Sequence, residues 1–468
     1  MIAAPASGQG KTVITAALLA LLRQRGVKAA AAKVGPDYID PAFHAAALGH
    51  DDHAASPVIN LDAWAMSRNE MAARLAALAE GAEMLVIEAV MGLFDGAARP
   101  ARQVAPANAC EVGGPDEAAT APDPAALTGI GSSADLAAMF GIPVLLVVDA
   151  ARMGASAAAL VHGFASLRPD VRIAGVILNR LGSPRHGEML AAAIEQATGL
   201  PVVGRFLRGE ELMLPERHLG LVPAGEHGGL EKWLKQTAQV AAESLSLCRL
   251  ANLTRPLGVG ADAAQAHKPL PPLGQRITIA RDEAFCFVYP HLLEDWRAQG
   301  AEISFFSPLA DEAPPADADA VYLPGGYPEL HAARLAAAAR FRQGMRQAAE
   351  RGALIHGECG GFMALGRGLV DAQGVAHAMC DLLPVATSFA DKRLHLGYRR
   401  LRHASPLPFP AALRGHEFHY AQMVWRDSAA DPLFEAEDAA GNALEPMGAR
   451  VGRVMGSFAH VLAPGDDA

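Results

Sequence analysis

One cysteine stands in a setting that is typical of a catalytic nucleophile. Cys359 lies in the run Gly357-Glu358-Cys359-Gly360-Gly361, after the apolar run Leu354–His356 and before the helix-like stretch Phe362–Leu365. Glycines on both sides allow a tight strand-to-helix turn that points the sulfur at a helix N-terminus, which favours the thiolate. A buried, inert cysteine is the usual alternative, but the flanking glycines favour the nucleophile.

The remaining cysteines lack glycine neighbours and are widely scattered: they are Cys110, Cys248, Cys286 and Cys380. Their spacing predicts neither a disulfide framework nor a zinc site, which is typical of a reducing cytoplasm.

A thiolate nucleophile also requires an oxyanion hole. The segment Leu323–Glu329 places a pair of glycines at the end of a predicted strand. We expect the backbone N–H groups of Gly325 and Gly326, together with that of Gly360, to form this hole.

The base that activates the thiol is expected to be a histidine. His460 is the preferred candidate because it follows the last predicted strand, Val454–Phe458, at a sheet edge. His416 and His419 are then expected to serve structure or ligand binding, with a histidine pair satisfied by its neighbours as the alternative.

The N-terminal segment predicts a phosphate-binding loop. Gly8 and Gly10 allow the backbone to turn its N–H groups towards an anion, Lys11 supplies a charge for the phosphates of ATP, and the Thr12 hydroxyl suits Mg²⁺. The full pattern would have a further glycine where Pro5 stands, and a glycine-rich helix cap is the alternative. The first strand is expected to be very short, unless the start codon was assigned too late.

A loop with one lysine, two carboxylates and a tyrosine spans Lys33–Pro41. Ligands bind at the carboxyl edge of a parallel sheet, so we expect Lys33, Asp37 and Tyr38 to contact the substrate and Asp37 also to bind Mg²⁺. The alternative is that these acids are solvated turn residues.

Further polar residues end or follow predicted strands. Glu88 follows the strand Met84–Ile87 and is expected to bind Mg²⁺ like a Walker B acid. Asp95 is expected to bind substrate, with an Asp-Gly turn as the alternative. Asn179 follows the strand Ile173–Leu178 and is expected to contact the adenine of ATP, with a helix cap as the alternative.

Alternating strands and helices must position these side chains. Apolar runs separated by helical stretches, as in Leu61–Leu78 and Ser133–Phe140, predict parallel strands covered by helices in both halves of the chain. Residues 1–250 and 276–468 are expected to form two α/β domains, joined by a Pro- and Gly-rich linker at 251–275. Ala97–Gly129 has no apolar period and is expected to be a surface insertion, most simply a spacer.

Composition narrows the classes of partner. The 468 residues exceed one ordinary core, and the net charge of −10 argues against nucleic-acid binding. The apolar run Val13–Leu22 is too short to span a membrane. We expect a cytoplasmic protein without membrane or nucleic-acid partners; the oligomeric state is left open, with a homodimer as one option.

In their order and spacing, these motifs resemble the cobyrinic acid a,c-diamide synthase family, which includes the hydrogenobyrinic acid enzymes of cobalamin biosynthesis. The resemblance rests on the P-loop, KVGPDYIDP, MGLFDG, PGGYPEL, GECGGFM, GHEFHY and GSFAH, and leaves out only Ala97–Gly129. It implies an N-terminal synthetase domain similar to dethiobiotin synthetase and a C-terminal class I glutamine amidotransferase domain. His416 and His419 would then be candidates for corrinoid binding.

The resemblance also implies roles for single residues. Cys359 would be the nucleophile and His460 the group that raises its nucleophilicity, while ATP, metal and substrate would be served by Lys11, Thr12, Asp37, Tyr38, Glu88 and Asp95. Class I amidotransferases usually carry a glutamate two residues after the histidine, where this chain has Leu462. A third triad member is therefore expected to be absent.

The implied activity is the amidation of the a and c carboxylates of cobyrinic or hydrogenobyrinic acid, driven by ATP with glutamine as nitrogen donor. Nickel-sirohydrochlorin a,c-diamide synthase and cobyric acid synthase are the close alternatives. A ParA-like ATPase switch is the alternative of another class. Such switches carry a lysine five residues before the P-loop lysine, where this chain has Ala6, and have no amidotransferase half.

Overall fold

The computed structural model describes residues 1–50, 58–98, 128–217, 220–259, 268–428 and 430–465. Within these ranges the chain forms two α/β halves that pack against each other. No helix in the described ranges is both long and apolar enough to cross a membrane.

The N-terminal half is built on a seven-stranded sheet, beside which lies a two-stranded hairpin of β8 and β9. The strands are β1 Ile2–Ala3, β2 Ala29–Val34, β3 Val58–Leu61, β4 Met84–Glu88, β5 Val144–Asp149, β6 Ile173–Leu181, β7 Val202–Leu207, β8 Glu216–Arg217 and β9 Gly220–Leu221. The sheet has the order β3-β2-β4-β1-β5-β6-β7, and all of its pairs are parallel. The carboxyl ends of these strands therefore meet at one edge, where ligands bind in such folds.

Helices cover both faces of this sheet, as parallel strands require. They are α1 Lys11–Gln24, α2 Asp40–Leu48, α3 Arg68–Ala79, α4 Ser133–Phe140, α5 Ser156–Ser166, α6 Pro184–Thr198, α7 Leu230–Ser244 and α8 Leu247–Leu253. Their apolar faces and the strands between them form a core on either side of the sheet.

The C-terminal half contains three further sheets. Its strands are β10 Arg276–Ala280, β11 Glu302–Phe306, β12 Ala320–Leu323, β13 Leu354–Glu358, β14 Gly368–Val370, β15 Ala376–Ala378, β16 Val385–Ser388, β17 His395–Arg402, β18 Ala412–His419, β19 Gln422–Arg426, β20 Glu435–Asp438, β21 Ala449–Val451, β22 Val454–Ser457 and β23 His460–Pro464. Its helices are α9 Pro290–Ala298, α10 Ala332–Ala337, α11 Ala339–Glu350 and α12 Gly360–Leu365.

The central sheet of this half has the order β11-β10-β12-β13-β22-β21 and is parallel except for its last pair. Two four-stranded sheets, β15-β14-β16-β19 and β20-β17-β18-β23, extend from it. The chain leaves the central sheet after β22 and enters another sheet at β23, so His460 stands at the crossing point.

Polar and aromatic contacts join the two halves. Arg74 of α3 donates to Asp295 of α9 at 2.8 Å. The Tyr398 hydroxyl donates to Asp62 at 2.9 Å, and its ring stacks on Trp64 with centroids 4.4 Å apart. These contacts hold α9 and β17 against the first half.

The predicted fold class is confirmed, but the helix predicted over Leu61–Leu78 is wrong in its first third. Leu61 ends a strand at the sheet edge, and α3 begins only at Arg68, because the Ser67 side chain accepts the Glu70 N–H at 3.1 Å and caps the helix. The apolar residues before Ser67 belong to the sheet and the turn that follows it.

The predicted insertion Ala97–Gly129 lies mostly outside the described residues. Its ends meet, because Ala97 and Ile130 exchange two backbone hydrogen bonds of 2.9 Å. The predicted linker 251–275 begins inside α8, and residues 260–267 lie outside the described ranges. The domain boundaries stay predictions.

Candidate active sites

The predicted phosphate-binding loop joins β1 to α1. Gly8 and Gly10 have φ angles of 74° and 92°, in the left-handed region that favours glycine. A Cβ on Gly10 would lie 2.3 Å from the amide nitrogen of Asn179, which donates to the Gln9 carbonyl at 2.8 Å. Asn179 thus holds the loop in place, and its contact with adenine stays a prediction.

Lys11 begins α1 and is buried under this loop. Its ammonium donates to the carbonyls of Met91 at 2.6 Å and Ala6 at 3.4 Å. Burial lowers the pKa of Lys11 below its ordinary value. Asp95 accepts the Gly92 N–H at 2.8 Å and so shapes the loop that carries Met91. The predicted partners of phosphate and substrate, Lys11 and Asp95, therefore lie on facing loops.

Behind the loop, charged side chains form a buried network around Lys33 and Glu88. The Lys33 ammonium donates to Glu88 Oε1 at 2.8 Å and to the Asp40 carboxylate, and Asp37 lies 3.5 Å away. Burial alone would lower the pKa of Lys33, but Asp40 and Glu88 outweigh it and hold the pKa well above its ordinary value. Lys33 and His44, whose Nε2 lies 2.7 Å from Glu88 Oε2, overcome burial and hold the pKa of Glu88 well below its ordinary value.

The Thr12 hydroxyl completes a cluster of oxygens that is suited to Mg²⁺. It donates to Glu88 Oε1 at 2.9 Å and to Asp40 Oδ2 at 3.1 Å. Asp40, which the sequence did not single out, supplies the third oxygen. Asp37 instead accepts the N–H groups of Ile39 and Asp40 at the start of α2, and its role as a metal ligand stays a prediction.

Hard oxygen donors fit Mg²⁺, which usually takes one or two carboxylates together with substrate phosphates. No group of three or more His, Cys, Asp or Glu side chains in the described part of the chain suits a metal ion. One hydroxyl and two carboxylates are a donor set that fits a cation completed by nucleotide phosphates.

In the C-terminal half, Cys359 occupies the sharp turn predicted between β13 and α12. Its φ and ψ are 49° and −107°, a strained conformation for a residue with a side chain. The turn is held by the sheet, because the Cys359 N–H donates to the Ser457 carbonyl of β22 at 2.8 Å. A Cβ on Gly361 would lie 1.9 Å from the Leu323 carbonyl oxygen. Gly361, two positions after Cys359, is therefore required on steric grounds.

The predicted oxyanion-hole glycines lie around the same cysteine. A Cβ on Gly325 would lie 3.3 Å from Cys359 Cβ and 2.5 Å from His460 Cε1, and a Cβ on Gly360 would lie 3.2 Å from the Gly326 nitrogen. The sequence-predicted nucleophile, base and glycine backbone are therefore brought together.

A buried carboxylate beside His460 was missed by the sequence interpretation. Glu358 Oε2 lies 3.7 Å from His460 Nδ1, and Glu358 Oε1 accepts the Val461 N–H at 3.1 Å. The Tyr322 hydroxyl donates to Glu358 Oε2 at 2.7 Å. Burial would raise the pKa of Glu358, but the hydrogen bond with His356 and the nearby ring of His460 hold it well below its ordinary value. This carboxylate belongs to the residue directly before Cys359. The position two residues after the histidine, where class I amidotransferases usually carry a glutamate, holds Leu462.

The alternative histidines have other partners. His416 pairs with His460 across β18 and β23, and their rings stack with centroids 4.9 Å apart. The Tyr289 hydroxyl lies 2.9 Å from His416 Nε2, and burial lowers the pKa of His416 well below its ordinary value. His419 Nε2 lies 3.1 Å from Glu417 Oε1. His416 therefore lies directly beside the preferred base as a neutral ring.

The surroundings of Cys359 oppose ionisation of its thiol. Burial, with a contribution from Glu329, raises the pKa of Cys359 above its ordinary value and outweighs the opposing hydrogen bond from the Gly360 N–H. The sequence interpretation expected the helix N-terminus to favour the thiolate, but desolvation is the larger effect. Attack by the sulfur therefore requires a base that takes its proton.

Tyr38, predicted to contact substrate, lies against the C-terminal half. Its ring centroid is 5.1 Å from that of Phe287 and 5.1 Å from that of His460. The same loop therefore supplies Asp37 to the lysine cluster and Tyr38 to the surroundings of the second site.

Comparison with known proteins agrees with this division. Residues 1–222 match the CobQ/CobB/MinD/ParA nucleotide binding domain, and residues 276–468 match the CobB/CobQ-like glutamine amidotransferase domain. Proteins named hydrogenobyrinate a,c-diamide synthase align over 99% of this chain and 98% of their own length: 52% of residues are identical in that of Brucella abortus, 50% in that of Rhizobium meliloti and 48% in that of Mesorhizobium japonicum.

Fold and sites together define a nucleotide-binding glutamine amidotransferase, an ATP-dependent carbon–nitrogen ligase. The two halves carry the phosphate-binding loop and the cysteine turn, respectively. The chain belongs to the hydrogenobyrinate a,c-diamide synthase family of cobalamin biosynthesis.

Proposed function

We propose that this protein converts the a and c carboxylates of hydrogenobyrinate into amides, with ATP and glutamine as cosubstrates. The observation that supports this most strongly is the alignment over 99% of the chain with synthases of that name. The predicted residues of both half-reactions also lie in two compact clusters.

In the glutaminase half, Cys359 attacks the side-chain amide carbon of glutamine while His460 takes the thiol proton. The N–H groups of Gly325, Gly326 and Gly360 would stabilise the oxyanion. The carbon–nitrogen bond then breaks, His460 returns the proton to the leaving nitrogen, and ammonia departs. Water hydrolyses the remaining thioester to glutamate. Glu358 orients the imidazole and stabilises its cationic form in both steps.

In the synthetase half, a ring carboxylate oxygen attacks the γ-phosphorus of ATP, and ADP leaves. Ammonia then attacks the acyl phosphate, phosphate departs and the amide remains. The step requires ATP because a carboxylate has no good leaving group. Lys11 and the N–H groups of the Gly8–Gly10 loop bind the phosphates, and Lys33 holds the carboxylates of Asp40 and Glu88 in place.

We further propose that the oxygens of Thr12, Glu88 and Asp40 hold Mg²⁺ when nucleotide is bound. The cation would neutralise charge on the β- and γ-phosphates. The amidation should therefore stop when EDTA exceeds the added Mg²⁺ and resume when Mg²⁺ is restored.

The substrate is tested by incubating the purified protein with ATP, Mg²⁺ and glutamine and with each macrocycle in turn. We expect mass spectrometry to show two carboxyl-to-amide conversions on hydrogenobyrinate. Cobyrinate and nickel-sirohydrochlorin serve as competing acceptors. Faster amidation of either one, or no amide on hydrogenobyrinate, would overturn the proposed substrate.

We also propose that the protein works in the cytoplasm, where ATP and glutamine are available and Cys359 stays reduced. Recovery of the protein in a secreted or periplasmic fraction of its native cells would contradict this.

A further inference from the structure

The loop between β2 and α2 reaches both candidate sites. Its acidic residues face Lys33 and Thr12 in the N-terminal half, whereas Tyr38 projects into the C-terminal half. Only one residue separates Tyr38 from Asp40, and Asp37 is its direct neighbour. A displacement of the backbone at Asp37 or Asp40 would therefore also move the Tyr38 ring.

The Tyr38 ring lies among aromatic side chains of the C-terminal half. Its centroid is 4.3 Å from that of Tyr289, 5.1 Å from that of Phe287 and 5.1 Å from that of His460. Its hydroxyl lies 3.4 Å from His416 Nε2. The proposed base of the glutaminase site is thus flanked by His416 on the next strand and by a residue from the other half.

The acidic end of the loop is held by the groups that are expected to bind nucleotide and Mg²⁺. Asp40 accepts hydrogen bonds from Thr12 and Lys33, and Asp37 lies 3.5 Å from Lys33 Nζ. Asp37 Oδ1 accepts the N–H groups of Ile39 and Asp40, which makes the turn stiff. A cation bound by Thr12 and Asp40 would replace the hydrogen bonds that Asp40 accepts from Thr12 and Lys33 and so change how the loop is held.

We infer that Tyr38 is a positioning residue through which occupancy of the synthetase site controls the glutaminase site. With the synthetase site empty, the ring restrains His460 against His416. Displacement of the Asp37–Asp40 loop by nucleotide and acceptor moves the ring and releases His460 for proton transfer from Cys359. Ammonia is then made only when an acceptor is ready. The inference rests on the proposed function, because it needs both half-reactions in one chain.

The test measures two ratios on the full-length protein. One is the glutaminase rate with ATP, Mg²⁺ and hydrogenobyrinate divided by the rate with glutamine alone. The other is the amount of glutamine hydrolysed per amide formed at saturating acceptor. In the wild type we expect stimulation of at least about tenfold and a stoichiometry near one. In Tyr38→Ala we expect the stimulation to fall to about twofold or less and more glutamine to be hydrolysed per amide.

Two further variants separate coupling from general damage. Tyr38→Phe keeps the ring and removes only the hydroxyl, so it should retain most of the stimulation. Asp295→Asn weakens the ion pair that Arg74 makes between the halves, on helices α3 and α9, which carry no residue of either cluster, and should leave both ratios as in the wild type. Loss of coupling in Asp295→Asn as well would mean that any loosening of the contact between the halves suffices, and would overturn the assignment to Tyr38.

The ratios also distinguish coupling from substrate binding by Tyr38. If the tyrosine only bound acceptor, Tyr38→Ala would raise the KM for hydrogenobyrinate equally with glutamine and with ammonia, and both ratios at saturation would be unchanged. That result would overturn the inference, as would a wild type without stimulation. A wild type that amidates hydrogenobyrinate with neither nitrogen source would instead defeat the proposed function.

Discussion

Glu358 Oε2 lies 3.7 Å from Nδ1 of His460, although the two residues stand 102 positions apart in the chain. The register that pairs Glu358 with Ser457 on neighbouring strands brings β13 alongside the segment that leads to His460. The residue before Cys359 therefore places a carboxylate beside the proposed base.

Glu358→Gln tests this role at constant volume. We expect kcat for glutamine-supported amidation to fall at least about tenfold, because the imidazolium loses its buried counter-charge. Amidation with ammonium chloride should be unaffected. Tyr322→Phe, which removes one hydrogen bond to Glu358 but keeps its charge, should cost much less. Equal losses in the two variants would show that packing, and not the carboxylate charge, supports the site.

Gly325→Ala tests the closeness of the oxyanion-hole loop to the catalytic pair. The added methyl would lie 2.5 Å from His460 Cε1, and His460 is buried. Because displacement of a catalytic group by about 1 Å can cost about 100-fold, we expect a loss of that order with glutamine and none with ammonia. Gly163→Ala, where a Cβ meets nothing within 4 Å, is the matched control. Normal glutamine use by Gly325→Ala would contradict the geometry.

Asp62→Asn should change how stability depends on pH. Burial raises the pKa of Asp62 to about 6, whereas the unfolded state has a pKa near 3.9. As pH rises between these values the unfolded state loses its proton first, so ionisation favours unfolding and the wild type loses stability. The variant lacks this loss. From pH 5 to pH 7.5 we expect its stability relative to wild type to rise by roughly 1 kcal/mol.

Calorimetry at pH 5 and pH 7.5 measures the difference in the free energy of unfolding between Asp62→Asn and the wild type. Titratable groups that both proteins share contribute equally to the two values and cancel in the difference. Tyr398→Phe removes the hydroxyl that donates to Asp62 and lowers its pKa but keeps the acid, so its stability should depend on pH at least as strongly as that of the wild type. A constant difference between Asp62→Asn and wild type across the range would contradict the assignment.

The sequence predicted most strongly what depends on local chain geometry. The left-handed turn at Gly8 and Gly10 and the sharp turn at Cys359 are local features that the glycines of a single segment reveal. The preference for His460 followed from its place after the last strand.

The residues that were missed depend on contacts between distant segments. Glu358 gained its role from the crossing of β23, and His44 from the approach of α2 to β4. Tyr38 was assigned to substrate because it lies in a loop at the carboxyl edge of the first sheet, and no local pattern shows that its ring also packs against Phe287 and His460 of the other half. The helix predicted from Leu61 begins too early for a similar reason. Leu61 satisfies a helical period, but it pairs with a neighbouring strand in the sheet.

The central claim is that Cys359 makes ammonia in one half and the other half consumes it. Amide formation by Cys359→Ala should be measured on hydrogenobyrinate with glutamine and, separately, with ammonium chloride, with Cys248→Ala as the control at an exposed cysteine. We predict no product from glutamine and a near-normal rate from ammonium. Loss of both activities in a folded variant, or product from glutamine, would contradict the account.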